Sequence, residues 1–391
     1  MGKRLALFLD GTWNSIDSST NVRRLCQSML PQGADGVEQK SCYDVGVGAT
    51  PGEKWRGSLG YGLSKNVVEA YEWLVGQYDD GDEIYIFGFS RGAYTARSVA
   101  GVIATCGLLR RGSAMTVEQL YERYRQGKAV RPIWKIDYAK SQGAPLAADE
   151  QRLLDNARRV PVKMIGVWDT VGALGVPFGN FPGLSERRFR FHNTNLSKLY
   201  DFAYHAMALD EHRKAFKPTL WTKFRPAKPD PEGSSAPRSD QVVEQRWFVG
   251  AHSNVGGGIA GSDMSQRPLA WMREKAERAG LAFAPLSLTG QEHEGPIADS
   301  FREFMGGVYS FFGLRGRFHR TVAAPTREVT GGFSDTINET IDGSVFERWR
   351  SDPTYRPPGL VEWRGRTGFD PGTIAGAIDA RTGNPVVEAG Q

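Results

Sequence analysis

Gly88-Phe89-Ser90-Arg91-Gly92 is the stretch of this chain best equipped for covalent chemistry. A serine hydroxyl is a weak nucleophile alone; it needs a base, and an acid to orient that base. Glycines two residues to either side suit a sharp strand-to-helix turn, where larger side chains would collide with the neighbouring backbone. The flanks agree with such a turn. "DEIYIFGFS" reads as an apolar strand and "RGAYTARSVAGVIATCG" as a helix rich in small residues. Ala93, Ala96 and Ala100 would let that helix lie close to a sheet. Its N-terminal N–H groups and dipole would favour a developing oxyanion. Ser90 is therefore the expected nucleophile, with Gly88 and Gly92 supporting its turn and the Arg91 N–H as one oxyanion donor.

The base must come from six histidines, all C-terminal to Ser90: His192, His205, His212, His252, His293 and His319. His252 alone closes an apolar strand-like run, "WFVGAHSNVGGG", whose glycines suit a residue displayed above a sheet edge. His205, in "YHAMALDEHR", reads as part of a helix, and His192, His293 and His319 follow no strand. For the acid, Asp169 closes the strand-like "VKMIGVWDT", and strand carboxyl ends are where open α/β sheets place their chemistry. Its rivals are Asp210, expected in a helix as a cap or paired with Arg213, and Asp263. The order serine, acid, histidine is that of hydrolases with a nucleophile on a strand-helix turn.

Near the N-terminus, "ALFLDGTWNS" has the look of a phosphatase loop with Asp10 as phosphoryl acceptor. That chemistry needs an aspartate two residues before the Asp of Asp-Gly-Thr, and Phe8 stands there. The stretch fits a second oxyanion donor better. Gly11 allows close backbone approach, Gly11 or Thr12 would supply the N–H, and Asp10 would brace the loop. "VGVGATPG" and "VGGG" lack the flanks of a dinucleotide or phosphate loop. No His/Asp/Glu run has metal-ligand spacing, so neither metal nor cofactor is expected.

The elements that must position these residues are legible in outline. Strand-like "RLALFLD", "SCYDVGVGATPG", "DEIYIFGFS", "PVKMIGVWDT" and "QRWFVGAHS" are separated by helical stretches. These include "NVRRLCQSML" and "LSKNVVEAYEWLVGQYDD", the latter with Val67, Tyr71, Leu74 and Val75 on one side. Alternation of this kind predicts an α/β fold with a doubly wound, mostly parallel sheet. The 391 residues are read as one domain, with insertions at 108–160 and 175–245 forming a cap and a C-terminal extension over 285–391. "TVEQLYERYRQGK" is a helix within the first insertion, "FRPAKPDPEGSSAPRSD" a loop within the second, and "VYSFFG" a candidate lining for an apolar acyl pocket.

Charged residues make up 24% and the net charge is +5, which reads as a soluble globular chain. The basic balance is compatible with contact at an anionic membrane surface, but no Lys/Arg block is dense enough to imply a nucleic-acid partner. Three cysteines without CxxC spacing indicate no disulfide framework. No signal peptide or membrane span is visible, so a cytoplasmic site of synthesis is expected, with any export by specialised machinery.

"FLDGTWN", "YDVGVGA", "GFSRGAYTAR", "GVWDTVGALG", "HAMALDEHRKAF", "WFVGAHSNVGGG" and "ERWRSDPTYRPPGL" occur in that order. Together they resemble an uncharacterised α/β-hydrolase domain family. That family includes the catalytic domain of class 1 type VI secretion phospholipase effectors. The resemblance spans about residues 3–360. It implies an α/β-hydrolase fold and the same three residues, Ser90, Asp169 and His252, acting on a lipid ester. Two motifs differ from the family pattern: "DEHRK" carries His212 where an Arg is usual, and Ile341-Asp342-Gly343-Ser344 stands for Ile-His-Pro-Ser. The expected activity is a serine esterase or lipase, its partner a small-molecule or lipid ester. The alternatives are an amidase or peptidase with the same triad, or a non-catalytic binding module on this scaffold.

Overall fold

The computed structural model describes residues 2–11, 19–44, 59–171, 196–227, 238, 240–259, 261–300 and 317–387, with 59–64 and 128 described by backbone alone. The main sheet is built from β1 (Arg4–Leu9), β2 (Gln39–Asp44), β3 (Glu83–Phe89), β4 (Val162–Trp168), β5 (Tyr200–Ala208), β6 (Val242–Phe248), β7 (Glu339–Ile341) and β8 (Ile378–Asp379). Their spatial order is β2-β1-β3-β4-β5-β6-β7-β8, parallel throughout except for the β7–β8 pair. The chain reverses direction across the sheet at β1 and β3, whose registers pair Leu9 with Gly88. Ligand crevices of open α/β sheets form at such a switch point.

The inner strands β1 and β3 to β6 are buried on both faces, as parallel sheets require, while β2 at the edge is largely half-buried. Leu5, Leu7 and Leu9 of β1 face one apolar cluster, and Ala6 and Phe8 face another. Helices α2 (Leu59–Gln77) and α3 (Arg91–Cys106) cover the first face. Helix α1 (Asn21–Ser28) covers the second, together with a helix from later in the chain.

Helices α4 (Val117–Arg125), α5 (Ile133–Ser141) and α6 (Ala148–Asn156) occupy the first insertion. They pack against the α2–α3 side through Leu120, Ile133, Ile136 and Leu153. Ion pairs Arg111–Asp79 (2.8 Å) and Arg158–Asp80 (2.8 Å) fasten this insertion beside the start of β3. That is the amino edge of the sheet, opposite Ser90, and not over the carboxyl edge as a cap would be. Chain direction explains it: α3 leaves Ser90 and ends at the far edge, where β4 must begin.

Other differences have equally plain causes. "YHAMALDEHR" was expected as helix; it is strand β5 and its following loop. From Ala203 to Ala208 every residue is buried, so the run lacks the alternation that marks a strand. The expected 175–245 insertion therefore contains a central strand. The expected loop "FRPAKPDPEGSSAPRSD" opens inside a strand, Thr222–Pro226, which pairs with Gly332–Thr336, itself paired with Arg327–Val329. The C-terminal region is not an appendage. β7 and β8 extend the main sheet, and after the short α7 (His252–Gly256) and α8 (Gln266–Arg278), helices α9 (Gly343–Ser351) and α10 (Pro358–Thr367) build a third cluster with Trp247 and Ile341.

Candidate active site

Ser90 follows β3 and caps α3 with φ 57 and ψ −119, a conformation that L-residues rarely adopt. Its N–H donates to Trp168 O at 3.1 Å, which ties the turn to the end of β4. Both flanking glycines are required by contact. A Cβ on Gly88 would lie 2.5 Å from Gly92 O, and one on Gly92 would lie 2.0 Å from Leu9 O. Both obstacles are backbone and cannot rotate away. Gly92→Ala is accordingly expected to destabilise by about 1–3 kcal/mol, the cost of overpacking. A thermal melt reads the effect, and an unchanged midpoint would contradict the close β1–α3 approach.

Asp169 directly follows β4, with φ 39. Its N–H donates to Ala206 O at 2.7 Å, while Oδ1 accepts from Ala208 N at 3.1 Å. Beside it, His205 Nε2 accepts from Thr170 N at 3.1 Å. Burial pushes His205 down to about 3, so it stands as a neutral acceptor fixing the backbone next to Asp169.

His252 opens α7 after β6. Its Nδ1 meets Asp169 Oδ2 at 2.6 Å, both side chains buried. Its ring is held by Phe216 (centroids 5.0 Å, edge-on) and by Phe89 (4.7 Å), the residue preceding Ser90. Gly256 makes room for this, since a Cβ there would fall 1.9 Å from the Phe89 ring. Burial pushes the His252 imidazole below its ordinary value, against the opposing pull of Asp169. Burial also pushes the Asp169 carboxyl up, but Arg320 and His252 outweigh it and hold it well below the usual carboxylate range.

Of the other sequence candidates, Asp10 braces its loop. It accepts from Gly11 N (2.7 Å), Tyr43 OH (2.9 Å) and Thr20 Oγ1. The Gly11 N–H is thus already engaged with Asp10. Thr12 and the "VYSFFG" segment lie outside the described residues. Asp210 is in a loop, not a helix, and accepts from Gly250 N (2.7 Å) and Tyr355 OH (3.1 Å). Arg213 pairs instead with Glu211. Among the described residues no cluster of three or more His, Cys, Asp or Glu could hold a metal. None of their helices is long and apolar enough to cross a membrane.

Two residues beside this site, Arg320 and Glu211, were not singled out from the sequence, and Arg213 was read only as a partner of Asp210. Arg320, fully buried, donates Nη1 to Asp169 Oδ1 (2.5 Å) and Nη2 to Oδ2 (2.9 Å). Glu211 accepts from the His252 N–H at 3.3 Å and is forked by Arg213 Nε (2.8 Å) and Nη2 (2.9 Å). Burial raises the Glu211 carboxyl, but Arg213 brings it down to about 2. The charged run "DEHRK" after a long apolar stretch was a signal for Glu211 and Arg213; nothing local marks Arg320.

An uncharacterized protein of Saccharomyces cerevisiae is 26% identical over 239 residues, covering 56% of this chain and 33% of its own length. Among solved structures, an uncharacterized protein from Pseudomonas aeruginosa is 17% identical, TM-score 0.39, covering 76% of this chain and 49% of that one. The Tle1 effector bound to the VgrG spike of the type 6 secretion system is also 17% identical, TM-score 0.35, covering 68% and 53%. The chain spans about half or less of the length of these relatives. Residues 3–275 match the profile of the type VI secretion phospholipase effector Tle1-like catalytic domain, and it is to this family that the chain belongs.

Proposed function

We propose that this chain is a serine hydrolase of the α/β-hydrolase type, cleaving carboxylic esters of lipids or phospholipids. The observation that carries the reading is the 2.6 Å contact of His252 Nδ1 with Asp169 Oδ2, at the sheet edge where Ser90 tops a strained turn. Membership in a phospholipase-effector family supports the lipid substrate. In this reading Ser90 Oγ attacks the ester carbonyl while His252 Nε2 takes its proton. The imidazolium, oriented and stabilised by Asp169, then protonates the leaving alcohol. Water, deprotonated by the same nitrogen, releases the acid and restores Ser90. The α3 N-terminus, through Arg91 N–H, and a second donor from the loop after β1, assigned to Thr12 because the Gly11 N–H is taken by Asp10, stabilise the oxyanion, each donor by roughly 2.7–4 kcal/mol. No cofactor enters these steps.

Phosphatidylcholine, phosphatidylethanolamine and phosphatidylglycerol vesicles, with short p-nitrophenyl esters in parallel, test the reading. Fatty acid and lysolipid are the expected products, and their positional analysis assigns the ester attacked. Activity on soluble esters alone would restrict the reading to an esterase. A folded chain with no activity and no fluorophosphonate labelling would favour a binding module.

The pH dependence has a definite sign. Neutral His252 is the base, and burial holds its proton affinity below the ordinary histidine value. The acid limb of fluorophosphonate labelling is therefore expected to have its midpoint below about 6.5, the unperturbed value, rather than above it. Labelling rates from pH 4.5 to 9 check this, and a flat profile would remove His252 as the base.

A further inference from the structure

Asp169 Oδ2 serves two partners, His252 Nδ1 at 2.6 Å and Arg320 Nη2 at 2.9 Å. Arg320 also takes Oδ1, and it is locked in place by donating to Ala208 O (2.6 Å) and Phe216 O (2.6 Å). Both side chains of this ion pair are fully buried. A buried carboxylate beside an imidazole raises its proton affinity. A carboxylate already matched by a guanidinium on both oxygens does so far less, because the imidazolium then faces a neutral pair.

The remaining charged and titratable groups around His252 do not restore the imbalance. Glu211, from the loop after β5, is forked by Arg213 of the same loop. His205 of β5 is held neutral by burial, with Arg97 of α3 a further opposing charge. The imidazole therefore lies against two matched ion pairs, Asp169–Arg320 and Glu211–Arg213, and against the rings of Phe89 and Phe216.

We propose that Arg320 is a positioning residue that, through Asp169, sets the proton affinity of His252 and with it the lower pH limit of turnover. The assignment rests on the hydrolase reading above. Arg320 lies outside the residues that match the family profile, so the C-terminal region completes the site supplied by the first 275 residues.

The test uses the full chain and reads the fluorophosphonate labelling rate of Ser90 against pH. Arg320→Gln removes the charge while keeping a polar side chain. Whichever partner carries the proton, the Asp169–His252 pair then takes it up more readily. The acid limb is expected to move up by about one pH unit. Arg320→Lys keeps the charge and loses the fork; its limb stays with the wild type while the plateau rate falls about tenfold. A slower Arg320→Gln variant whose limb has not moved would overturn the proposal, since packing alone would then explain the loss.

Should Arg320→Gln fail to fold, the double variant Asp169→Asn/Arg320→Gln, which orphans neither buried charge, decides through the imidazole ¹⁵N shifts of His252. A midpoint within about half a pH unit of wild type supports the proposal, since a compensated carboxylate was lost with its partner, and a larger fall overturns it. A wild-type chain that is not labelled at Ser90 overturns the hydrolase reading, and the nitrogen shifts still report whether Arg320 compensates Asp169.

Discussion

Ser90→Ala is expected to abolish fluorophosphonate labelling and to lower ester hydrolysis by at least ~10⁴-fold, leaving the fold intact. The expected size follows from the chemistry. Without Oγ no acyl-enzyme forms, and only substrate binding and oxyanion stabilisation remain. Stability should barely change, because the Ser90 side chain makes no capping hydrogen bond to α3. The backbone allows a sharper control. At φ 57 a β-carbon is strained, and glycine is not. Ser90→Gly should therefore be as inactive as Ser90→Ala yet more stable by about 1 kcal/mol, by relief of that strain. Hydrolysis assays and thermal melts of both variants read the two effects separately. Retention of full activity in either would place the nucleophile elsewhere.

Asp169→Ala carries the second large effect, on stability as much as on rate. It strips the counter-charge from fully buried Arg320 and removes the acceptors of Ala208 N–H and His252 Nδ1. Breaking a buried pair from one side costs about 3–5 kcal/mol, because the orphaned charge stays buried. That is a large share of a typical folding stability of about 5–15 kcal/mol. Activity should fall about 10⁴-fold even in Asp169→Asn, which keeps the volume but not the charge that orients the imidazole. The pH dependence has a sign. The folded Asp169 carboxyl is held far below its unfolded value of about 3.9, so its stabilisation is complete above that value. It drains away as pH falls toward the folded value. The gap in melting temperature between wild type and Asp169→Ala should thus be constant above about pH 5 and narrow below pH 4. Equal melting temperatures at pH 7 would show that Arg320 does not depend on Asp169.

How much of this was legible beforehand depends on the range of the interaction. Local rules served where one segment contains its own reasons. The Ser90 turn is one such place, with glycines, strand and small-residue helix all within a short window. The strand ends that carry Asp169 and His252 are others. Asp10 as a loop brace was readable because Asp next to Gly bonds its own following N–H. Strand β5 was misread because burial on both faces erases the period-two pattern. The first insertion was misplaced because a linear sequence does not say at which edge of a sheet a helix ends.

What the sequence determined by itself was the alternation that makes a parallel α/β sheet, and the residue types able to attack, accept a proton and orient the acceptor. Those depend on side-chain chemistry and on backbone geometry within a few residues. Only the tertiary structure decided that Asp169 and His252 meet at 2.6 Å and that Arg320 closes on Asp169 from the C-terminal region. The reason is physical. A buried charge is tolerable only with its partner in place, and that partner here lies 151 residues further along the chain, where no local pattern announces it.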